Sequence, residues 1–465
     1  MLIKRSLQFL PAQLLTPLAQ FVSIVVWTYY CSAETIGVIT LLAVFQELAQ
    51  KVVFGWWTHY TLRYHGDSNE HWSESDSFLL LLLFVQIAVS FVALYWWFGT
   101  GYDMVFYSIV ALYMALRSLN QYFVIVCSIK GQALGFNICS LSGPVIGLLI
   151  SIILIINFGD HPIYPITGFA IGESLSIIYY YFTSNYAIQM LSKQVVKKAL
   201  YYGAPLLIAG VFSWTALNIS RFMVEWNLGL AAVGEFAVGF GLGQRAASLA
   251  SMLVTPAALP MAMQKMRDEG QVAAMKQLAD NFALLMAVML PALVGIFMIK
   301  DEFIPLVIAD DFQLAALATF PWALLSGGLF AVIYNYCNHY FLVVANTKPL
   351  IWVDFSLAIG AAVFSWWLVQ SQGMVGGVIA MAIASAIVTA VLLIYLVNYK
   401  GLVVPVKPLL VTFSAAIAMA ISVELVRGSV ATGWLGVVML ILVGASVYTA
   451  VMYPFYRKGI VLKYA

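Results

Sequence analysis

The chain has 465 residues, of which 63% are hydrophobic and only 9% charged, and its mean hydropathy is +0.95. Soluble domains carry about 25% charged residues, so this composition excludes a water-soluble protein and points to one embedded in a membrane. The formal net charge is +2 with no run of basic residues, which excludes the electrostatic footprint of a nucleic-acid-binding protein.

Lys4 and Arg5 precede an apolar run over 8–30. That run is too long for the hydrophobic region of a secretion signal, contains Pro11 and Pro17, and ends in no small-residue cleavage site. It reads as a first transmembrane helix. Such helices need about 20 apolar residues, and the chain offers about fourteen such stretches. In order they are 8–30, 36–62, 77–98, 103–128, 135–157, 163–185, 203–224, 231–258, 278–300, 313–345, 350–370, 374–398, 406–426 and 434–456. The tenth is long enough to be two pieces or one tilted helix. The expected fold is an all-α polytopic membrane protein.

Lysine and arginine in the loops fix the orientation. With the N-terminus inside, the inner loops and termini hold Lys4, Arg5, Arg63, Lys130, Lys193, Lys197, Lys198, Lys265, Arg267, Lys276, Lys348, Lys400, Lys407, Arg457, Lys458 and Lys463, whereas the outer loops hold only Lys300 and Arg427. Both termini are therefore expected on the cytoplasmic side. The longest loops, 63–76, 186–202 and 259–277, are all inner ones, and no extramembrane domain is visible to house chemistry.

Glu34-Thr35-Ile36-Gly37-Val38 opens the second stretch much as Ala231-Ala232-Val233-Gly234-Glu235 opens the eighth. This weak echo predicts two six-helix lobes in parallel repeat, at 1–185 and 203–400. A cytoplasmic linker over 186–202 joins them, and two additional helices follow within 401–465. Parallel repeats with a binding site at their interface are a transporter pattern.

Charges within the apolar stretches are the candidate functional residues. A charged side chain near the bilayer centre costs about 2.5–3.5 kcal/mol on insertion scales, so it faces other helices, a partner or a wet cavity. The first helix carries Gln13, Thr16, Pro17 and Gln20. The second places Gln46, Glu47, Gln50 and Lys51 together, with Glu47 and Lys51 at the i, i+4 spacing of an ion pair. The fourth has Arg117, Asn120 and Gln121, and Glu173 of the sixth lies at a similar depth. If paired with Glu173, Arg117 is structural or a gate; if not, it is a ligand for anions. Arg221, near the outer end of the seventh, has Glu225 one turn on. Arg245 in the eighth is followed by Ser248 and Ser251. Asn335 and His339 share a face of the tenth, and Asp354 opens the eleventh. Lys51, Arg117, Arg221 and Arg245 thus form a candidate cationic lining, and Glu47, Glu173 and Asp354 are candidates for ion pairing or for coupling to H+ or Na+.

No metal site is expected, because HExxH and metal-ligand Cys/His spacings are absent, and the phosphate-cradling GxxxxGK[ST] is absent too. No cofactor is called for. Cys31, Cys127, Cys139 and Cys337 form no CxxC and read as small apolar packing residues. The doublets Trp56-Trp57, Trp96-Trp97 and Trp366-Trp367 read as interfacial belts.

Several short motifs cluster over 203–260: Gly203-Ala204-Pro205, Asn218-Ile219-Ser220-Arg221-Phe222, Leu228-Gly229, Val233-Gly234-Glu235-Phe236-Ala237, Thr255-Pro256 and Leu259-Pro260. This segment resembles the seventh-to-eighth helix region of Wzx-type polysaccharide (O-antigen) flippases of the MOP exporter superfamily. The resemblance implies two six-helix lobes around a central cavity, working by alternating access. It also implies a passenger, an undecaprenyl-diphosphate-linked oligosaccharide carried from the cytoplasmic to the periplasmic leaflet of the bacterial inner membrane, and a polysaccharide polymerase as a partner. Ser220 stands where such flippases often have an acid before the arginine. The related multidrug antiporters often depend on an acid in the first helix, and this chain has none there. A drug/cation antiporter of the same fold and a polytopic polysaccharide polymerase are the alternatives. The first would want an acidic cavity and the second a sizeable outer loop, and neither is visible.

Overall fold

A computed structural model describes residues 2–64, 76–183, 193–252 and 254–457. The central part of the predicted loop 63–76, the predicted linker up to residue 192, and the basic residues Lys458 and Lys463 lie outside the described residues. Among the described residues all regular structure is helical. Eleven helices of the described residues are long and apolar enough to cross a membrane. The chain divides into two compact units, Met1–Asn218 and Ile219–Ala465.

The first unit contains α1 (Leu2–Tyr30), α2 (Ala33–Tyr64), α3 (Asp76–Phe98), α4 (Met104–Lys130), α5 (Ala133–Phe158), α6 (Ile163–Thr183) and most of α7 (Lys193–Leu228). Local chemistry sets several helix ends. Ser32 caps α2 by accepting from Thr35 N–H at 3.3 Å, and Asp103 caps α4 by accepting from Phe106 N–H at 2.8 Å. Gly131, at φ 69°, closes α4 in the left-handed conformation that glycine adopts without strain. The core is aromatic: Trp56, Trp57, Tyr60, Tyr122, Phe123 and Tyr180 are buried around Cys127 and Cys139. Phe123 and Tyr180 stack at 4.1 Å, and Trp57 meets Phe78 edge-on at 4.7 Å. Trp56-Trp57 is therefore core rather than belt. Trp96, Trp366 and Trp367 are exposed, as an interfacial position requires. All four cysteines are buried and free, in keeping with a packing role.

Among the described residues three helices widen into π turns: α2 at Lys51–Gly55, α5 at Ser142–Gly147, and α12 (Asp310–Val343) at Ile333–Cys337. Such turns recur at functional sites. In α5 the cause is legible, because Pro144 has no N–H for the helical ladder. Two main-chain acceptors one turn earlier are taken by side chains instead: Thr16 of α1 donates to Ser140 O at 3.2 Å, and Asn120 of α4 donates to Cys139 O at 2.8 Å.

The second unit contains the end of α7, then α8 (Leu230–Met252), α9 (Thr255–Asp268), α10 (Gln271–Met298), α11 (Lys300–Val307), α12, α13 (Lys348–Lys400), α14 (Val406–Arg427) and α15 (Trp434–Arg457). The expected single stretch 231–258 is two helices, with Pro256 in the first turn of α9. The expected tenth stretch is one helix interrupted by its π turn. The expected eleventh and twelfth stretches are the two arms of α13, divided at Gly373, whose φ of 65° and ψ of −149° suit only glycine.

A close seam joins α8 to α12 through small residues. A Cβ on Gly239 would lie 2.0 Å from Thr319 Oγ1 and 2.9 Å from the Ala316 backbone, and one on Gly243 would lie 2.6 Å from Ala323 Cβ. Gly239 and Gly243 form a GxxxG stripe, which lets helix backbones approach where no hydrophobic force drives them together.

One end of this unit is tied by Arg427. It donates to Met298 O at the end of α10 and pairs with Glu302 and Glu424 at 3.2 Å and with Asp301 at 3.7 Å. The guanidinium is about a quarter exposed, so each pair is partly screened and the carbonyl bond contributes most. Arg427→Ala should lower stability by about 1–2 kcal/mol. It should reduce the thermal midpoint of the purified protein, and 0.5 M salt should narrow the difference from wild type.

Candidate functional site

In the first unit the candidate residues converge on a polar cluster between α2, α4, α5 and α6. Arg117, in mid-α4, points its guanidinium at partners on three helices. Its Nε donates to Gln46 Oε1 at 3.1 Å on α2, and its Nη1 donates to Tyr113 Oη at 3.2 Å, one turn back on α4. The same Nη1 lies 3.8 Å from Glu173 Oε1 on α6. Gln46 also donates to Ser118 Oγ at 3.4 Å, which orients its carbonyl toward the arginine.

Of the two charged partners, Glu173 is the more enclosed. Its side chain is 4% exposed, whereas that of Arg117 is 28% exposed. Asn120 Nδ2 donates to Glu173 Oε2 at 2.5 Å while also donating to Cys139 O. On the other side the carboxylate presses against Gly143, in the π turn of α5. A Cβ there would sit 2.4 Å from Glu173 Oε1, so only glycine leaves room. The gap of 3.8 Å to Arg117 is longer than a hydrogen bond, so the pair is Coulombic and loosely joined.

Of the sequence-predicted residues, the structure thus brings Arg117 and Glu173 together, and Glu47 lies within electrostatic range of both Arg117 and Tyr113. The expected Glu47–Lys51 pair is not among the ion pairs of the described residues. Glu47 is exposed, and the aliphatic stem of Lys51 runs beside Gly210 of α7 at the start of the π turn.

In the second unit, Arg221 stacks on Phe240 of α8, with its guanidinium carbon 4.8 Å from the ring centroid. The expected Arg221–Glu225 pair is likewise not among the ion pairs of the described residues. Ser220 shares a 2.7 Å hydrogen bond with Ser365 of α13, so this departure from the flippase pattern serves helix packing here. Arg245 lies half-buried on α8. Its neighbour Gln244 donates to Ser326 Oγ at 2.9 Å, and Ser251 turns back to Ser248 O at 2.9 Å. Asp354 is buried and accepts from Tyr334 Oη at 2.9 Å, within the π turn of α12. His339 and Asn338 are buried in the same helix.

Sequence reading missed Tyr113 and Gly143. Tyr113 was available from its i, i+4 spacing to Arg117. Gly143 carries no signal beyond its place before Pro144. No group of three or more metal-ligating side chains occurs among the described residues.

The sequence profile of the family described as "Polysaccharide biosynthesis protein" matches residues 32–317. The chain belongs to this family. The match includes the 203–260 segment that resembles the polysaccharide flippases. A search of curated protein sequences finds no match. Solved structures with the same fold include a lipid II flippase, MurJ, in an inward closed conformation. Its TM-score is 0.73 at 17% identity, over 97% of this chain and 99% of that one. An inward-facing multidrug resistance MATE transporter of the MOP superfamily aligns at TM-score 0.54 and 16% identity, over 82% of this chain and 93% of that one. A MOP superfamily transporter from Pyrococcus furiosus, described as having a binding pocket of reverse polarity, aligns at TM-score 0.51 and 13% identity, over 84% and 92%. The chain therefore shares the fold of these solved flippase and transporter structures.

Proposed function

We propose that the chain is a flippase, not an enzyme. It would carry an undecaprenyl-diphosphate-linked oligosaccharide from the cytoplasmic to the periplasmic leaflet by alternating access, in the synthesis of O-antigen, capsule or exopolysaccharide. The observation that carries this reading is a coincidence: a polysaccharide-biosynthesis family signature over 32–317 lies on a chain whose fold matches a lipid II flippase over 97% of its length. The chemistry of the charged residues supports it. A diphosphate is anionic, and the planar fork of an arginine suits its oxygens. Each unit supplies cations for such contacts, Arg117 and Lys51 in the first and Arg221 and Arg245 in the second. Glu47, Glu173 and Asp354 are the candidates for coupling to H+ or Na+.

In this reading the protein lies in the bacterial inner membrane with fourteen spans and both termini in the cytoplasm, and it hands its product to a polysaccharide polymerase. The drug/cation antiporter alternative is disfavoured by the basic balance of the candidate lining and by a first helix without an acid. The test is complementation of a strain lacking its own polysaccharide translocase. Restored surface polysaccharide supports the reading, and intracellular accumulation of lipid-linked oligosaccharide despite normal protein levels counts against it.

A further inference from the structure

The Arg117–Glu173 pair has an asymmetry that a purely structural ion pair lacks. The acid is enclosed and the base is partly open. The base is held by neutral acceptors, Gln46 and Tyr113, at hydrogen-bond distance, but stands 3.8 Å from the acid. A guanidinium so placed can turn toward an arriving anion without breaking a short bond to its carboxylate. The carboxylate cannot follow, because Gly143 and Asn120 confine it.

A second observation concerns Asn120. Its Oδ1 is buried and accepts no hydrogen bond, although its Nδ2 already holds Glu173 Oε2 and Cys139 O. Buried acceptors are rarely left unfilled. An ionised carboxylate has no proton to give it. A protonated one does, and carboxamide and carboxylic acid then pair through two hydrogen bonds, N–H to oxygen and O–H to oxygen.

We propose that Arg117 exchanges between Glu173 and the substrate's diphosphate, and that Glu173 takes up a proton as the guanidinium leaves, so that loading the anion and protonating the acid are one event. The inference rests on the flippase reading and specifies how its coupling begins. The balance is simple: one N–H···phosphate contact replaces the Arg117–Glu173 attraction, and one proton from water forms an O–H bond on Glu173, donated to Asn120 Oδ1. An enclosed carboxylate stripped of its counter-charge is otherwise costly. The helices packed on α6 are α4 and α5, with Trp27 of α1 set edge-on against Phe169. The titratable groups they turn to Glu173 are Arg117 and Tyr113 from α4 and Cys139 from α5, with Glu47 of α2 acting through Arg117. None besides Arg117 carries a positive charge to replace it.

The experiment uses the purified full chain in detergent and, as probe, a diphosphate methylated on both phosphorus atoms, whose own charge does not change near pH 7. Calorimetric titrations in two buffers of different protonation enthalpy give the number of protons taken up per probe bound. Wild type should take up about one proton per probe. Glu173→Gln should bind the probe as tightly or up to about tenfold more tightly, since the competing charge is gone, and should take up none. Binding by wild type without proton uptake, or equal uptake by Glu173→Gln, overturns the exchange and leaves the cationic-site reading standing. No binding by wild type overturns both.

Discussion

Arg117→Ala is expected to abolish surface polysaccharide in a strain that depends on this protein for it. The substitution has two separable effects. Removing the guanidinium takes away the cation proposed to meet the diphosphate. It also leaves Glu173 enclosed with its Asn120 bond but no counter-charge. Breaking a buried pair from one side costs roughly 3–5 kcal/mol where both partners are enclosed. Arg117 is 28% exposed, so the cost here belongs at the low end or below. The single variant should therefore accumulate less protein as well as export nothing. Arg117→Ala combined with Glu173→Gln removes both charges and should return protein levels to near wild type while export stays absent. Immunoblotting of membranes against surface-polysaccharide staining distinguishes the two. If the double variant exports normally, Arg117 serves only to neutralise Glu173.

The second large effect is on folding. Gly239→Leu should prevent α8 and α12 from meeting, because even a Cβ at Gly239 lies within 2.0 Å of Thr319 Oγ1 and 2.9 Å of the Ala316 backbone. The side-chain oxygen could turn away, but the backbone cannot. Overpacking a close-packed seam costs about 1–3 kcal/mol, and a four-carbon side chain against backbone belongs at or above the upper figure. Membrane levels should fall to a small fraction of wild type, and any purified protein should melt at a lower temperature. Ala231→Leu, at an exposed position in the first turn of the same helix, is the control and should accumulate normally. Equal loss in both variants would remove the seam as the cause.

Helical content, apolar spans and the separation of charged from lipid-facing residues were legible because the bilayer admits so few backbone solutions. The Arg117–Glu173 partnership was legible as one of two alternatives, since matching depth on nearby helices is readable from span boundaries. The Glu47–Lys51 and Arg221–Glu225 spacings left pairing open, and neither pair is among the ion pairs of the described residues, for a common reason. An i, i+4 spacing permits a pair but does not compel one, and each base found another surface: Lys51 the α7 backbone at Gly210, Arg221 the ring of Phe240. The π turns were invisible in α2 and α12, where no residue type announces them. In α5 Pro144 was a usable signal, as was Pro256 for the break between α8 and α9. Trp56-Trp57 was assigned to the interface because a tryptophan doublet near a span end looks the same whether it faces headgroups or a neighbouring helix. Only the packing of Phe78 and Tyr60 around it decides.

Movement of a lipid-linked anion between leaflets can be followed in reconstituted vesicles. A polyprenyl-diphosphate-linked oligosaccharide is placed in both leaflets, and an impermeant sugar-binding reagent captures what reaches the outside. Wild-type protein should let essentially all of the lipid be captured, Arg117→Ala together with Glu173→Gln only the outer half, as in protein-free vesicles. Capture limited to the outer half with well-folded wild-type protein, with or without an imposed proton or sodium gradient, would rule out flipping by this chain.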